Sequence, residues 1–550
     1  MKHTMMSYPL TLGTVLERAH RPFGSTEVVS RLPDGAVRRV DYGYVHARAR
    51  ALASALRLAG LRPGDRVATL MWNHDDHLTA YFGIPCAGGV LHTLNLRLSP
   101  DDLAYIANDA EDRFIIVDDV LLPLLGRFLG KTKIERVFVT RLTGEHAGDA
   151  FESFERLLEE APDDVPLPAL HEEDPCGMCY TSGTTGRPKG VVYSHRAIVL
   201  HSFGVTMVDG LGLGGRDTVL AVVPQFHANA WGIPFAATMV GAKQVFPGPK
   251  LDAVSILDLM ESESVTLAAG VPTVWTALLD HLDRQPERWS LAPGLRLVVG
   301  GSAVPEALLR GFDRHGLRVI QAWGMTETSP LGTVGHVRPQ IPQDPDEQYA
   351  VRAKQGIPVP FVDVRIVADE GEAAWDGKTP GELEVRGPWV AARYHGDAEG
   401  RWTADGWFQT GDVATIDPDG YMKICDRTKD LIKSGGEWIS SVDVENALVA
   451  HPAVLEACVV AVPHPRWAER PLAVVVLRDG SMATSDELRA FLAERFAKWW
   501  VPDGVEFVSS IPRTSTGKFQ KSAVRERYRD WRPQEEAHGD RARPSQESAR

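Results

Sequence analysis

Two stretches of this 550-residue chain repeat one rhythm, and that rhythm restricts the fold more than any single residue does. Between residues 40 and 125, Tyr44 to Leu58 has the apolar spacing of a helix and Arg66 to Trp72 reads as a buried strand. His77 to Gly89 then reads as a helix, Gly89 to Leu94 as a strand, Pro100 to Asn108 as a helix and Phe114 to Val117 as a short strand. The alternation returns from Thr218 to Ile320, where VLAVV, KQVF, VTLAA, LRLVVG and RVIQAW are strand-like with helical segments between them. Such alternation predicts parallel sheets covered by helices, because parallel strands need a crossover and the crossover helix buries the sheet face.

From about residue 356 the pattern becomes short β-rich pieces with turn signals such as Asp417-Pro418-Asp419-Gly420, which predicts a β subdomain. A charged link, Asp426 to Leu431, leads into a unit with both helices and strands. The expected division is a large N-terminal domain (1–425), a hinge (426–431), a small C-terminal domain (432–530) and a polar, proline-containing tail (531–550) that reads as disordered. The fold class expected is α/β, with doubly wound sheets plus a β subdomain, followed by a small α+β domain.

The charge balance, 59 basic against 73 acidic side chains for a net −14, disfavours a general nucleic-acid binder, although a nucleotide needs only local positive charge. Five scattered cysteines fit a reducing cytoplasm better than a disulfide framework. Cys176 and Cys179 form a lone CxxC without the two further ligands that zinc requires. The N-terminus lacks the apolar core of a signal peptide, and no apolar run reaches the ~18 residues that span a bilayer. Gly210 to Gly215 satisfies GxGxxG, but a helix-like segment precedes it and a strand follows, the reverse of a dinucleotide fingerprint.

The chemistry concentrates in Tyr180 to Gly190, YTSGTTGRPKG, which sits between two strand-like segments. Glycines and hydroxyls let backbone N–H groups close around a phosphate, and Lys189 adds a mobile positive charge. The loop is not a Walker A sequence, because no GK precedes a Ser or Thr in it. Downstream come GGSAVP (300–305), QAWGMTET (321–328), QTGD (409–412), DRTKDLIKSGGEWIS (426–440) and PRTSTGK (512–518). In this order and spacing the motifs resemble the adenylate-forming acyl-CoA synthetases, relatives of luciferases and of peptide-synthetase adenylation domains, over about residues 10–525.

The resemblance implies roles. Thr181, Ser182, Gly183, Thr184, Thr185 and Lys189 would form the phosphate loop of an ATP site, and Thr184 and Glu327 would hold Mg²⁺ as hard oxygen donors. Gly301, Ser302, Gln321, Ala322, Trp323, Gly324 and Thr326 would line the adenine and α-phosphate pocket. Asp412 would bind the ribose with Arg427 beside it, and Lys518 would be the catalytic lysine. Lys429 and Asp430 fall in the hinge about which the family's C-terminal domain rotates. Rotation would withdraw Lys518 and bring Lys433, Gly435, Gly436 and Trp438 toward the nucleotide and coenzyme A.

On the acyl side, PQFHANAWGIP (224–234) carries no carboxylate to meet an ammonium, which argues against amino-acid substrates. Trp231 resembles the gate tryptophan of bacterial fatty acyl-CoA synthetases, and His227 resembles the residue at the carboxylate and thioester centre. Phe203, Val205, Met207, Val208, Ala230, Gly232 and Val271 are candidates to line an apolar tunnel. The expected reaction joins a medium- to long-chain fatty acid to ATP as acyl-AMP and then to coenzyme A, releasing AMP and pyrophosphate. The runner-up substrate is a short carboxylate such as 3-methylmercaptopropionate. A peptide-synthetase module would need a carrier domain after residue 530, which a twenty-residue tail cannot supply. Homodimers are common among similar synthetases, and the location expected is cytoplasmic.

Overall fold

The computed structural model describes residues 3–532, apart from 145–149, 163–164, 182–186, 398–399, 436 and 516. Two large sheets realise the strand–helix rhythm. One has nine strands; its interior runs parallel from Glu27–Arg31 through Lys243–Phe246, Thr218–Ala221, Leu267–Gly270 and Arg296–Val299 to Arg318–Gly324, and antiparallel strands flank both edges. The other has seven strands, parallel from Glu152–Ser153 to Pro175–Tyr180, with Gly190–Ser194 antiparallel at its edge.

The helix expected from Tyr44 starts two residues earlier, at Tyr42–Leu58, because Asp41 caps it: its Oδ1 accepts from the Tyr44 N–H at 2.8 Å. Its buried face is Tyr42, Val45, Ala49, Leu52, Ala53 and Leu56, the three-and-four spacing that buries one side of a helix. GLGLGG lies between the helix His195–Thr206 and the strand Thr218–Ala221 and opens no helix.

The β-rich region forms a five-stranded antiparallel sheet that ends at Met422–Arg427. A fourth sheet begins at Ile432–Ser434 and carries the long hairpin Val454–His464/Ala468–Leu477, with Gly504–Phe507 parallel to the latter strand. Cores follow the same break. The largest apolar cluster joins the first three sheets and runs from Leu12 to Met422. The clusters around Val459 and Val474 hold only residues from Ile432 onward. Apolar burial is what makes a unit cohere, and these cores fall on either side of residues 423–431: Ile424 still packs on the first, while Lys423 pairs with Asp443 at 2.9 Å and Asp426 accepts from Ser441 N at 2.8 Å to tie the link to the second. Among the described residues no helix is long and apolar enough to cross a membrane.

Candidate active site

Two cavities meet between these units, of about 1450 and 1510 Å³ including their open mouths. They share Gly301, Ala322–Met325, Arg427 and Lys518. One continues toward Ser302, Asp412 and Ile424; the other toward Thr181, Lys189, His227, Trp231 and Glu327.

Parallel-sheet topology explains the meeting point. Strands Leu267–Gly270, Arg296–Val299 and Arg318–Gly324 lie side by side and point the same way, so the segments leaving their C-terminal ends gather at one edge. The strand Arg318–Gly324 runs directly into a single 3₁₀ turn, Thr326–Thr328, that carries Glu327.

Asp412 is 5% exposed and holds the first cavity's wall together. Its Oδ2 accepts from Trp323 Nε1 at 3.0 Å, and its Oδ1 pairs with Arg427 Nε at 3.1 Å. Register makes this possible: Asp412 and Arg427 are cross-strand partners in the antiparallel sheet. Ala322 and Gly324 line the cavity on either side of Trp323, and Ser302 stands at its rim.

Glu327 is buried in the wall of the second cavity, and Tyr394 donates to its Oε1 at 2.7 Å. Burial pushes its carboxyl above the usual range; the Tyr394 hydrogen bond acts the other way. Thr326 and Glu327 are anchored through their backbones: Tyr193 donates to the Thr326 carbonyl at 2.8 Å and the Ala391 N–H to the Glu327 carbonyl at 2.7 Å. The glycine-rich loop is pinned at its base, where Thr181 N donates to the Lys189 carbonyl (2.9 Å) and Lys189 N to Thr181 Oγ1 (3.0 Å). Lys189 Nζ lies 4.9 Å from the Tyr394 ring centroid. Ser182, Gly183, Thr184 and Thr185 lie outside the described residues.

Lys518 reaches this place from the C-terminal unit. Its stem passes Gly301, where an added Cβ would stand 3.3 Å from Lys518 Cε. Gly301 also has φ +94°, a left-handed backbone that glycine alone adopts without strain. Desolvation first and Arg427 second lower the Lys518 pKa, Asp412 and Glu327 oppose them, and the balance leaves it at about 8. His227 lines the same cavity and is held neutral, its pKa lowered to about 3 first by burial, then by Lys518 and Arg97.

After His227 the backbone turns left-handed for five residues, Ala228, Asn229, Ala230, Trp231 and Gly232, with φ of 35, 41, 53, 58 and 71°. For an L-residue this costs about 1–2 kcal/mol each, so the surroundings must impose it. Cys179 Sγ donates to Asn229 Oδ1 at 3.0 Å, and Gly232 seats against His201. The result lays the Trp231 ring on Gly300, where a Cβ would stand 3.2 Å from Cη2.

Several expected site residues do not reach the cavities. Gln321 is 1% exposed and its amide is fully engaged inside the fold. Its Oε1 accepts from Val304 N and Gln355 Nε2, and its Nε2 donates to the carbonyls of Arg352 and Lys354, so its side chain braces the pocket rather than lining it. Lys429, Lys433, Gly435 and Trp438 line neither cavity. Lys433 Nζ sits 4.4 Å from the Trp438 ring centroid on an exposed hairpin of the C-terminal unit, and Gly436 lies outside the described residues. Of the tunnel candidates, Phe203, Met207 and Val208 are surface residues, Val208 being 85% exposed, and Val205 belongs to the general core. The apolar residues that line this cavity with Trp231 are instead Leu211, Val298, Leu331 and Phe408. Sequence reasoning missed Tyr394 and Arg401, both lining the second cavity, because neither falls in a recognisable motif.

The chain matches the family model for AMP-binding enzyme over residues 16–395 and that for the AMP-binding enzyme C-terminal domain over residues 443–518. It is 51% identical to a long-chain-fatty-acid–CoA ligase of Thermus thermophilus, covering 96% of this chain and 97% of that one. It is 45% identical to a medium-chain-fatty-acid–CoA ligase of Ectopseudomonas oleovorans (96% and 97% covered). It is 44% identical to a 3-methylmercaptopropionyl-CoA ligase of Ruegeria lacuscaerulensis (96% and 98% covered). Among solved structures, the anthranilate CoA ligase AuaEII in complex with anthranoyl-AMP superposes with a TM-score of 0.84 at 27% identity, over 96% of this chain and 99% of that one. ATP-bound MatB from Rhodopseudomonas palustris gives 0.80 at 28%, over 95% and 99%.

Proposed function

This chain belongs to the AMP-binding enzyme family, and from that premise we propose that it is a fatty acid–CoA ligase working through an acyl-adenylate. The observation that carries the reading is convergence: Lys518, Glu327, His227 and Arg427 open on one cavity, and three of them enter it from motifs far apart in the chain.

In the first half-reaction the acid's carboxylate attacks the α-phosphorus of ATP, the P–O bond to pyrophosphate breaks, and acyl-AMP forms. Two anions meet in this step, so the work is positioning and charge neutralisation. Lys518 contributes an ammonium at the α-phosphate and carboxylate. Asp412 accepts from the ribose hydroxyls, and Trp323, held by Asp412, supplies a flat wall for the base. Lys189 and Thr181 belong to the phosphate loop with Ser182, Gly183, Thr184 and Thr185.

Glu327 fits a divalent cation, being a hard oxygen donor whose buried charge lacks a cationic partner within salt-bridge distance among the described residues. With Thr184 it would hold Mg²⁺, which when bound neutralises phosphate charge. Glu327→Gln is expected to raise the Mg²⁺ concentration needed for half-maximal pyrophosphate release by about tenfold, with protein fold retained by circular dichroism. An unchanged Mg²⁺ dependence removes Glu327 from the ligand set.

In the second half-reaction the coenzyme A thiolate attacks the acyl carbon and AMP leaves. His227, held neutral with a lowered pKa, is too weak a base to carry the thiol proton, so its part is to orient the reacting carboxyl group at the acyl end of the cavity. The domain division proposed is 1–425, a hinge at 426–431, 432–530 and a tail at 531–550. Rotation about the hinge would withdraw Lys518 and present Lys433, Gly435, Gly436 and Trp438, with Lys429 at the pivot. A homodimer and a cytoplasmic location are part of the proposal and rest on the family resemblance alone.

The fatty-acid assignment is supported by the apolar residues that line the cavity with Trp231 and by the two fatty-acid ligases among the relatives. The 3-methylmercaptopropionyl-CoA ligases keep a short thioether acid as the second reading. Pyrophosphate release measured across acids from C2 to C18 decides between them: a maximum at medium to long chains supports the first, a maximum at C3–C4 the second. No turnover of any acid with ATP and coenzyme A, or release of ADP, overturns both. Trp231→Ala is expected to shift the chain-length maximum while the ATP KM stays within about twofold, since only the acyl end is altered. A fixed chain preference with a raised ATP KM rejects the gate.

A further inference from the structure

The loop that carries Lys518 is gripped from the N-terminal unit at a point outside every motif. Asn95, just after the strand Val90–Thr93, donates from Nδ2 to Ser515 Oγ at 2.9 Å, a contact across 420 residues of sequence. The Asn95 amide is fixed in advance. Its Oδ1 accepts from Arg97 N at 3.1 Å, and its backbone carbonyl accepts from Leu98 N at 3.0 Å. With Oδ1 engaged, the amide has one way to face, and its NH₂ is presented to the loop. Arg97 Nη1 adds a longer contact to the Ser515 carbonyl at 3.4 Å, and its guanidinium lies 5.9 Å from the ring of Phe226, the neighbour of His227.

The described residues of the gripped loop hydrogen-bond to one another. Thr514 N donates to the Lys518 carbonyl (2.7 Å), Gly517 N to the Thr514 carbonyl (3.0 Å) and Lys518 N to Thr514 Oγ1 (3.2 Å). Arg513 ties it to its own unit, pairing with Glu456 at 2.6 Å and donating to the Gly517 carbonyl at 2.8 Å. A loop closed on itself and fastened to the C-terminal sheet moves as one piece, so a bond at Ser515 fixes where Lys518 arrives.

We propose that Asn95 is a positioning residue for acyl-adenylate formation: through Ser515 it holds the Lys518 loop where the two cavities meet. The proposal rests on the reading of Lys518 given above. When the C-terminal unit rotates, the Asn95–Ser515 bond breaks, so Asn95 acts in the first half-reaction and is absent from the second.

The test uses full-length enzyme with Asn95→Ala, Ser515→Ala, the double variant and Asn95→Asp. Each alanine variant is expected to slow single-turnover acyl-AMP formation about 5- to 10-fold, the loss of one hydrogen bond, with ATP and acid KM little changed. Thioester formation from synthetic acyl-AMP keeps its rate or rises. The double variant is no slower than either single one, because both remove the same bond. Asn95→Asp, which still caps Arg97 and accepts from the Ser515 hydroxyl, restores most of the rate. Without any substrate, hydrogen exchange at the amides of Thr514, Gly517 and Lys518 accelerates in Asn95→Ala. Equal loss in both half-reactions, additive losses in the double variant, or unchanged exchange overturns the proposal. If the wild type forms no acyl-AMP while exchange still responds to Asn95→Ala, the function assigned to Lys518 fails and the grip on its loop stands.

Discussion

Lys518→Ala is expected to lower the rate of acyl-AMP formation by about 100- to 1,000-fold, the typical penalty for removing a preorganised charge from a reacting centre. The same variant retains thioester formation from synthetic acyl-AMP, because rotation takes Lys518 out of the site before coenzyme A attacks. Measuring the two half-reactions separately checks this, and equal loss in both contradicts the assigned role. The protonation state gives an independent handle. Desolvation, then Arg427, depress the Lys518 pKa to about 8, below the 10.5 of a free lysine. The ammonium is the useful form, so it is nearly complete a unit or more below its pKa of about 8 and lost as pH rises through that value. The kcat/KM of adenylation for ATP, which reports the free enzyme, is expected to fall with an apparent pKa near 8. Lys518→Arg, whatever activity it keeps, loses this alkaline limb, because a guanidinium does not titrate below ~12. His227, held near 3, adds no acid limb around neutrality.

Asp412→Ala carries the second large effect. It deletes the acceptor of Trp323 Nε1 and the partner of Arg427 in one step. Two donors then face a cavity without their acceptor, and the ribose loses its carboxylate. The ATP KM is expected to rise about 10- to 100-fold, the worth of one or two hydrogen bonds to a charged group, while the acid KM changes little. A second consequence follows from Lys518. The Asp412 carboxylate does more than any other group to hold the Lys518 pKa up, so its removal moves the alkaline limb of adenylation to lower pH. Asp412→Asn keeps an acceptor for Trp323 but not the charge, and is expected to share the shifted limb with a smaller rise in KM. A variant with unchanged ATP KM contradicts the ribose assignment.

The two variants probe the halves of the site that differ most in how they were legible. Asp412 and Arg427 lie in two separate motifs, QTGD and DRTKDL, and their pairing follows from hairpin register, which alternation and turn signals suggest but do not set. Lys518 was recognisable from PRTSTGK, yet its route past Gly301 depends on how two units meet. Gln321 shows the opposite failure. Motif context put it in the pocket, whereas competition for buried donors and acceptors turned its amide inward onto Val304, Gln355, Arg352 and Lys354. Phe203, Met207 and Val208 are apolar and near the right segment, but Phe203 lies on the outer face of the helix His195–Thr206 and Met207 and Val208 fall in the exposed turn after its end. Tyr394 and Asn95 were silent in the sequence because each acts through a single long-range hydrogen bond, to Glu327 and Ser515, that leaves no local pattern.

Local periodicity and motif order determined the α/β class, the β-rich insert, the family and the chemistry, since alternation, glycine placement and charge are properties of short segments. Only the tertiary structure decided which faces of those segments look into the cavity, how the left-handed turn at Ala228–Gly232 seats Trp231 on Gly300, and what fastens the Lys518 loop. Those choices are settled by contacts between residues tens to hundreds of positions apart, where burial and hydrogen-bond satisfaction outweigh anything a neighbouring residue dictates.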